Sequence, residues 1–122
     1  MREILFRGKR VDDGKWETSP CPYGVMSGGT IIHEFVLDTV GQYTGMRDKY
    51  GKRIFEGDIV LKRTHNGKKA FPVEFHNGAF HCGWGGGSST PAHAYTLRDG
   101  QIEVIGNIID NPNLISKRSE KS

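Results

Sequence analysis

The stretch DIVLKRTHNGKKAFPVEFHNGAFHCGW, residues 58–84, decides the fold. Two Asn-Gly dipeptides sit at the centres of His65-Asn66-Gly67-Lys68 and His76-Asn77-Gly78-Ala79. Asn-Gly flanked by apolar residues is a strong hairpin signal, because a type I′ turn needs positive φ at both central positions. A turn centred on Asn77-Gly78 sets Phe75 opposite Phe80, Glu74 opposite His81 and Val73 opposite Cys82. Phe75, Phe80, Val73 and Cys82 then share one face and are core candidates. The stretch predicts a three-stranded meander.

Working outward toward the C-terminus, GWGGGSSTPAHAY (residues 83–95) is too polar and glycine-rich for a core and predicts a long loop. QIEVIGNII (residues 101–109) predicts a closing strand with a bulge at Gly106. DNPNL follows as a capping turn, and residues 113–122 read as a disordered charged tail. Meander, long loop and closing strand over residues 58–112 are the parts of an SH3-like β-barrel.

Toward the N-terminus, residues 39–57 read as a connector and residues 1–38 as a small β-hairpin unit. REILF is a strand candidate with Ile4 and Phe6 on one face, and Gly8 a bulge candidate. A two-residue turn at Asp13-Gly14 would pair Val11 with Trp16 and Arg10 with Glu17. TSPCPYGVMSGG (residues 18–29), with its two prolines and three glycines, reads as loop. TIIHEFVLD (residues 30–38) returns to strand. The fold class is mainly β.

Composition agrees. The chain has 122 residues, 35% hydrophobic, with 17 glycines. That glycine share is about twice the usual one and favours turns over helices. A formal net charge of +3 is mildly basic, which suits nucleic acid or a phosphorylated small molecule without requiring either. Cys21 and Cys82 define no disulfide framework, and no apolar run reaches membrane-spanning length. The expectation is a soluble cytoplasmic protein with free thiols and no membrane partner.

Catalytic motifs are missing. There is no HExxH, CxxC, GxSxG or P-loop. His76, His81 and Cys82 are close in sequence, but neighbours on a strand point to opposite faces, so they do not converge on a metal. The reading is a non-enzyme with no cofactor and no metal. Ligand-binding candidates come from two places. In TVGQYTGMRDKYGKRIFEGDIV (residues 39–60) the glycines answer to turns and the aliphatic residues to core, leaving Tyr43, Arg47, Lys49, Lys52 and Arg53. Basic residues interleaved with aromatics suit phosphates and bases. In HCGWGGGSS (residues 81–89) glycine amides and Ser88 offer donors to a phosphate, and Trp84 a stacking surface. The structural alternative is that the first stretch is mainly hinge and barrel lead-in, and the second a plain loop.

Three blocks, MREILFRGKRVDDGKW, TVGQYTGMRDKYGKRIFEGDIV and IEVIGNIIDNPNLI, occur in this order along the chain. Together they resemble the YopX family of phage and prophage proteins. The resemblance implies an N-terminal β unit followed by an SH3-like barrel, homo-oligomeric assembly, and expression in a bacterial host cytoplasm. It brings no settled activity and no catalytic residues. The functional expectation is a non-enzymatic accessory protein that binds a small anionic, nucleotide-type ligand and so sequesters a host defence signal. The alternatives are a nucleic-acid-binding SH3-like module, opposed by Asp38, Asp48, Glu56 and Asp58 among the cations, and a module that binds a host protein.

Overall fold

The computed structural model describes residues 3–64, 67–76, 79–82, 95–96 and 102–115. Its strands are β1 (Phe6–Arg10), β2 (Trp16–Ser19), β3 (Gly24–Ser27), β4 (Thr30–Arg47), β5 (Arg53–Phe55), β6 (Asp58–Thr64), β7 (Gly67–His76), β8 (Ala79–Cys82), β9 (Tyr95–Thr96) and β10 (Glu103–Asn107). Among the described residues the chain is mostly β with almost no helix, and it divides into two compact units, Met1–Gly45 and Met46–Ser122. Residues 39–47, assigned from sequence to a connector, continue strand β4.

The first unit carries strands in the order β2-β1-β4-β3, all antiparallel. The first hairpin differs from its predicted register. Trp16 pairs with Lys9 and Glu17 with Gly8, and the loop is closed by Gly14 N–H donating to Arg10 O and Arg10 N–H to Lys15 O. Local side-chain bonding accounts for the wider turn. Asp13 Oδ1 accepts from Lys15 N at 3.0 Å, and Asp12 is held by Arg10, so the acidic pair is not free to sit in a tight two-residue turn. The strand also starts later than REILF suggests, at Phe6, and Ile4 is exposed.

The predicted irregularity at Gly8 is present. The β1–β4 register shifts between Arg7 and Lys9, and the extra residues lie on β4. There the Thr39 hydroxyl accepts from Lys9 N at 2.8 Å, replacing a ladder carbonyl. Gly8 is needed for packing, since a Cβ at that position would stand 2.7 Å from Cγ of the buried Phe35. The span read as loop, residues 18–29, holds β3. Its glycines make a hairpin: Gly28 and Gly29 have φ of 58° and 85°, and Ser27 pairs with Thr30. Positive φ at both central positions is the type I′ requirement.

The second unit contains β5 and a sheet of order β10-β6-β7-β8-β9. Its meander is followed by a last strand that returns to pair with the first, the order of an SH3-like barrel, and the sheet curls as a half-barrel. The β7–β8 register is the predicted one: Val73 with Cys82, Glu74 with His81 and Phe75 with Phe80. Ile54, Val60, Phe71, Val73, Cys82 and Ile102 form the buried core, with Met46, Phe80 and Val104 packed against it. Each fully buried aliphatic or aromatic side chain contributes on the order of 1.5–3 kcal/mol. Phe75 is not in that core. It is 51% exposed, next to the last pair of the hairpin, and is held edge-on to Phe80 with centroids 5.0 Å apart. The bulge predicted at Gly106 is present as a register shift between Val104 and Gly106. Residues 113–115 form a helical turn, tied by Leu114 N–H to Asn111 O.

Candidate anion-binding site

The site begins with a turn. Asp48, 5% exposed, accepts from the N–H groups of Tyr50 and Lys52 through Oδ1, both at 2.9 Å, and from Val104 through Oδ2 at 3.0 Å. Its own N–H donates to Lys52 O and its carbonyl accepts from Gly51 N. Gly51, at φ 85°, supplies the left-handed step that the turn requires. Burial alone would raise the Asp48 pKa. The three backbone N–H groups outweigh it and hold the carboxyl below its ordinary value. Because Val104 lies on β10, and Lys49 N also donates to Ile102 O, the turn is fastened to the closing strand.

A second buried aspartate repeats the device. Asp58 Oδ2 accepts from Phe55 N at 2.8 Å, across a turn in which Gly57 has φ 93°. Gly57 then bonds in two directions, N–H to Val73 O and carbonyl from Ile108 N. Asp48, Gly51, Gly57 and Asp58 are thus scaffold.

The fastened turn leaves Lys49 and Tyr50 facing outward. Lys49 borders a hollow of about 110 Å³ whose other walls are Leu61, Arg63, Lys68 and Glu103. Two of the hollow's cations come from a strand pair that sets like charges directly opposite each other, Arg63 against Lys68; the next pair, Lys62 and Lys69, falls on the other face. Like charges directly opposite each other destabilise a strand pair. Among the described residues, neither Arg63 nor Lys68 is ion-paired with a carboxylate. Glu103 sets one carboxylate against the three cations of the hollow, and a phosphate oxygen there would supply further counter-charge. Tyr50 is 72% exposed, and Lys49 Nζ lies 5.4 Å from its ring centroid.

The residues singled out from sequence are distributed as follows. Lys49 lines the hollow. Arg47 is exposed and its Nη1 donates to Gly51 O at 2.9 Å, bracing the turn. Lys52 is exposed in the same turn, and Arg53 is half-buried on β5. Tyr43 belongs to the first unit, where it is buried and its N–H donates to Leu5 O. Trp84 and Ser88 lie outside the described residues. Sequence reading did not single out Arg63, Lys68 or Glu103. A turn centred on Asn66-Gly67 would set Arg63 against Ala70; the strands instead close so that Thr64 meets Gly67, and the cations meet. The run LKR–HNG–KK was the available signal.

Chemistry elsewhere is sparse. Burial drives the Cys82 thiol up to about 11, which keeps it protonated and unreactive at neutral pH. Among the described residues no group of three or more His, Cys, Asp or Glu side chains is placed to hold a metal ion. No helix among them is long and apolar enough to cross a membrane.

With fold and site in place, the comparisons define the class. Residues 8–116 match the family described as YopX protein, and the chain belongs to the YopX family. Among solved structures it is similar to the crystal structure of protein EF1440 from Enterococcus faecalis, with a TM-score of 0.57, 21% identity, and coverage of 94% of this chain and 99% of that one. At that identity the likeness concerns the fold. No curated protein matches the chain.

Proposed function

We propose that this YopX-family protein is a non-enzymatic, oligomeric binding protein for a small phosphate-bearing anion of the nucleotide kind. One observation carries the reading. The β6–β7 hairpin sets Arg63 directly against Lys68, a repulsive pair that an anion relieves, on the wall of a hollow that Lys49 also lines. A hollow of about 110 Å³ can admit a phosphate group. The protonated, buried Cys82 supports binding rather than catalysis. Ile31, Ile32, Val36 and Leu37, all exposed on β4, support assembly through the first unit. In the phage setting that the family resemblance implies, such a protein would sequester a nucleotide signal of host defence.

The test is calorimetric titration with a panel of nucleotides, alongside chromatographic assay for products. Expected are saturable binding without turnover, and loss of binding in Arg63→Glu and Lys68→Glu. A panel with no binder would reject the reading. A second reading rests on the same hairpin, whose cations occupy both faces of a two-stranded ribbon, a form that fits a nucleic-acid groove. It predicts DNA or RNA affinity that falls steeply with salt.

A further inference from the structure

From the geometry of the DKYGK turn we infer that the ligand is a mononucleotide whose phosphate sits in the hollow and whose base stacks on Tyr50. This rests on the anion-binding reading above and names the residue that would set its specificity. A large aromatic side chain at 72% exposure has no part in the core. Yet the backbone beneath it is held at several points, through Asp48 and its three N–H donors and through Lys49 N to Ile102 O. A rigid backbone under an exposed ring is what a stacking platform needs, because little ordering remains to be done when a base arrives.

The distance fits as well. Lys49 belongs to both features: it lines the hollow, and its Nζ is 5.4 Å from the Tyr50 centroid. A phosphate held by Lys49, Arg63 and Lys68 therefore lies one sugar's reach from the ring. Lys49 Nζ lies over the Tyr50 ring, and the ring's 72% exposure leaves it accessible to a base.

The experiment titrates wild-type protein with ribose 5-phosphate, with adenosine and guanosine monophosphates, and with a single-stranded decanucleotide. Stacking is expected to give the nucleoside monophosphates a roughly 5- to 150-fold advantage over ribose 5-phosphate. Tyr50→Ala should erase that advantage and leave ribose 5-phosphate affinity unchanged, while Tyr50→Phe should retain it. Arg63→Glu should weaken all of these ligands. If Tyr50→Ala leaves the advantage intact, the stacking assignment is overturned and the anion site stands. If neither ribose 5-phosphate nor any nucleoside monophosphate binds the wild type, the anion-binding reading itself falls. A decanucleotide that outcompetes the mononucleotides at physiological salt overturns the mononucleotide assignment.

Discussion

Replacing Asp48 tests whether the family's central block is scaffold. Asp48→Ala strands three N–H groups that the carboxylate now satisfies at 2.9–3.0 Å. A hydrogen bond to a charged acceptor is worth about 1.5–3 kcal/mol when water cannot replace it. Tyr50 and Lys52 are on an exposed turn, where water substitutes, so their two bonds count for about 0.5 kcal/mol each. Val104 N is fixed in strand β10 and cannot turn to another acceptor, so its bond counts for about 2 kcal/mol. The expected loss is about 3 kcal/mol, or a fall in melting temperature of roughly 12–24 °C for a unit of this size. Asp48→Asn should lose about 2 kcal/mol, because an amide oxygen turned toward Tyr50 and Lys52 leaves its NH₂ facing Val104 N–H. The assay is thermal unfolding followed by circular dichroism, with amide exchange at Val104 as the local readout. The pH arm follows from the depressed carboxyl. Its stabilisation is present above the ordinary aspartate range, near 4, and is lost as pH falls through the lower folded value. Wild type and Asp48→Asn should therefore converge on acidification below about pH 4. A melting shift under about 4 °C for Asp48→Ala, or a gap that does not close in acid, would refute the scaffold account.

Other perturbations have clear signs. Gly57→Ala forces an L-residue to φ 93° at a point bonded both to Val73 and to Ile108, and should cost about 1–2 kcal/mol or more in the same melt. Asp12, held at about 2 first by its hydrogen bonds to Arg10 and then by His33, should stabilise the first hairpin above pH 4 and release it between about 4 and 2; chemical shifts of the Asp12 carboxyl and Trp16 report this, and Arg10→Gln should move the midpoint upward. Cys82, protonated and buried, should resist thiol reagents at pH 8 until urea unfolds the second unit, whereas equally fast labelling in native and unfolded protein would contradict its placement.

How much of this was legible beforehand depends on what kind of signal each part carried. The β7–β8 hairpin was read to the residue, because Asn77-Gly78 fixes the register and the apolar alternation agrees with it. The irregularities at Gly8 and Gly106 were readable because glycine inside a strand has few other uses. The β3–β4 hairpin was missed because Pro20, Pro22 and the Gly28-Gly29 pair look like loop, and here the two glycines serve a tight turn. The first hairpin went wrong through side-chain bonding by Asp12 and Asp13, which turn propensities do not express. The site was half legible. Lys49 was named on composition, but its companions Arg63, Lys68 and Glu103 are joined to it only by strand pairing, and Tyr43, equally conspicuous in sequence, is buried. Asp48 and Asp58 were taken as charges opposing an anionic partner, whereas both are buried and bonded to backbone N–H groups.

The bond from Val104 to Asp48 spans 56 residues of chain. At roughly 5–20 residues per second of synthesis, the turn that carries Lys49 and Tyr50 emerges some 3–11 s before the strand that completes its hydrogen bonds. Over that interval the aspartate has local donors but no anchor, and the platform above it has no fixed orientation. Ligand recognition at this turn would thus be switched on only by the arrival of β10. A ribosome-bound chain stalled before residue 102 should expose Tyr50 and bind nothing through it.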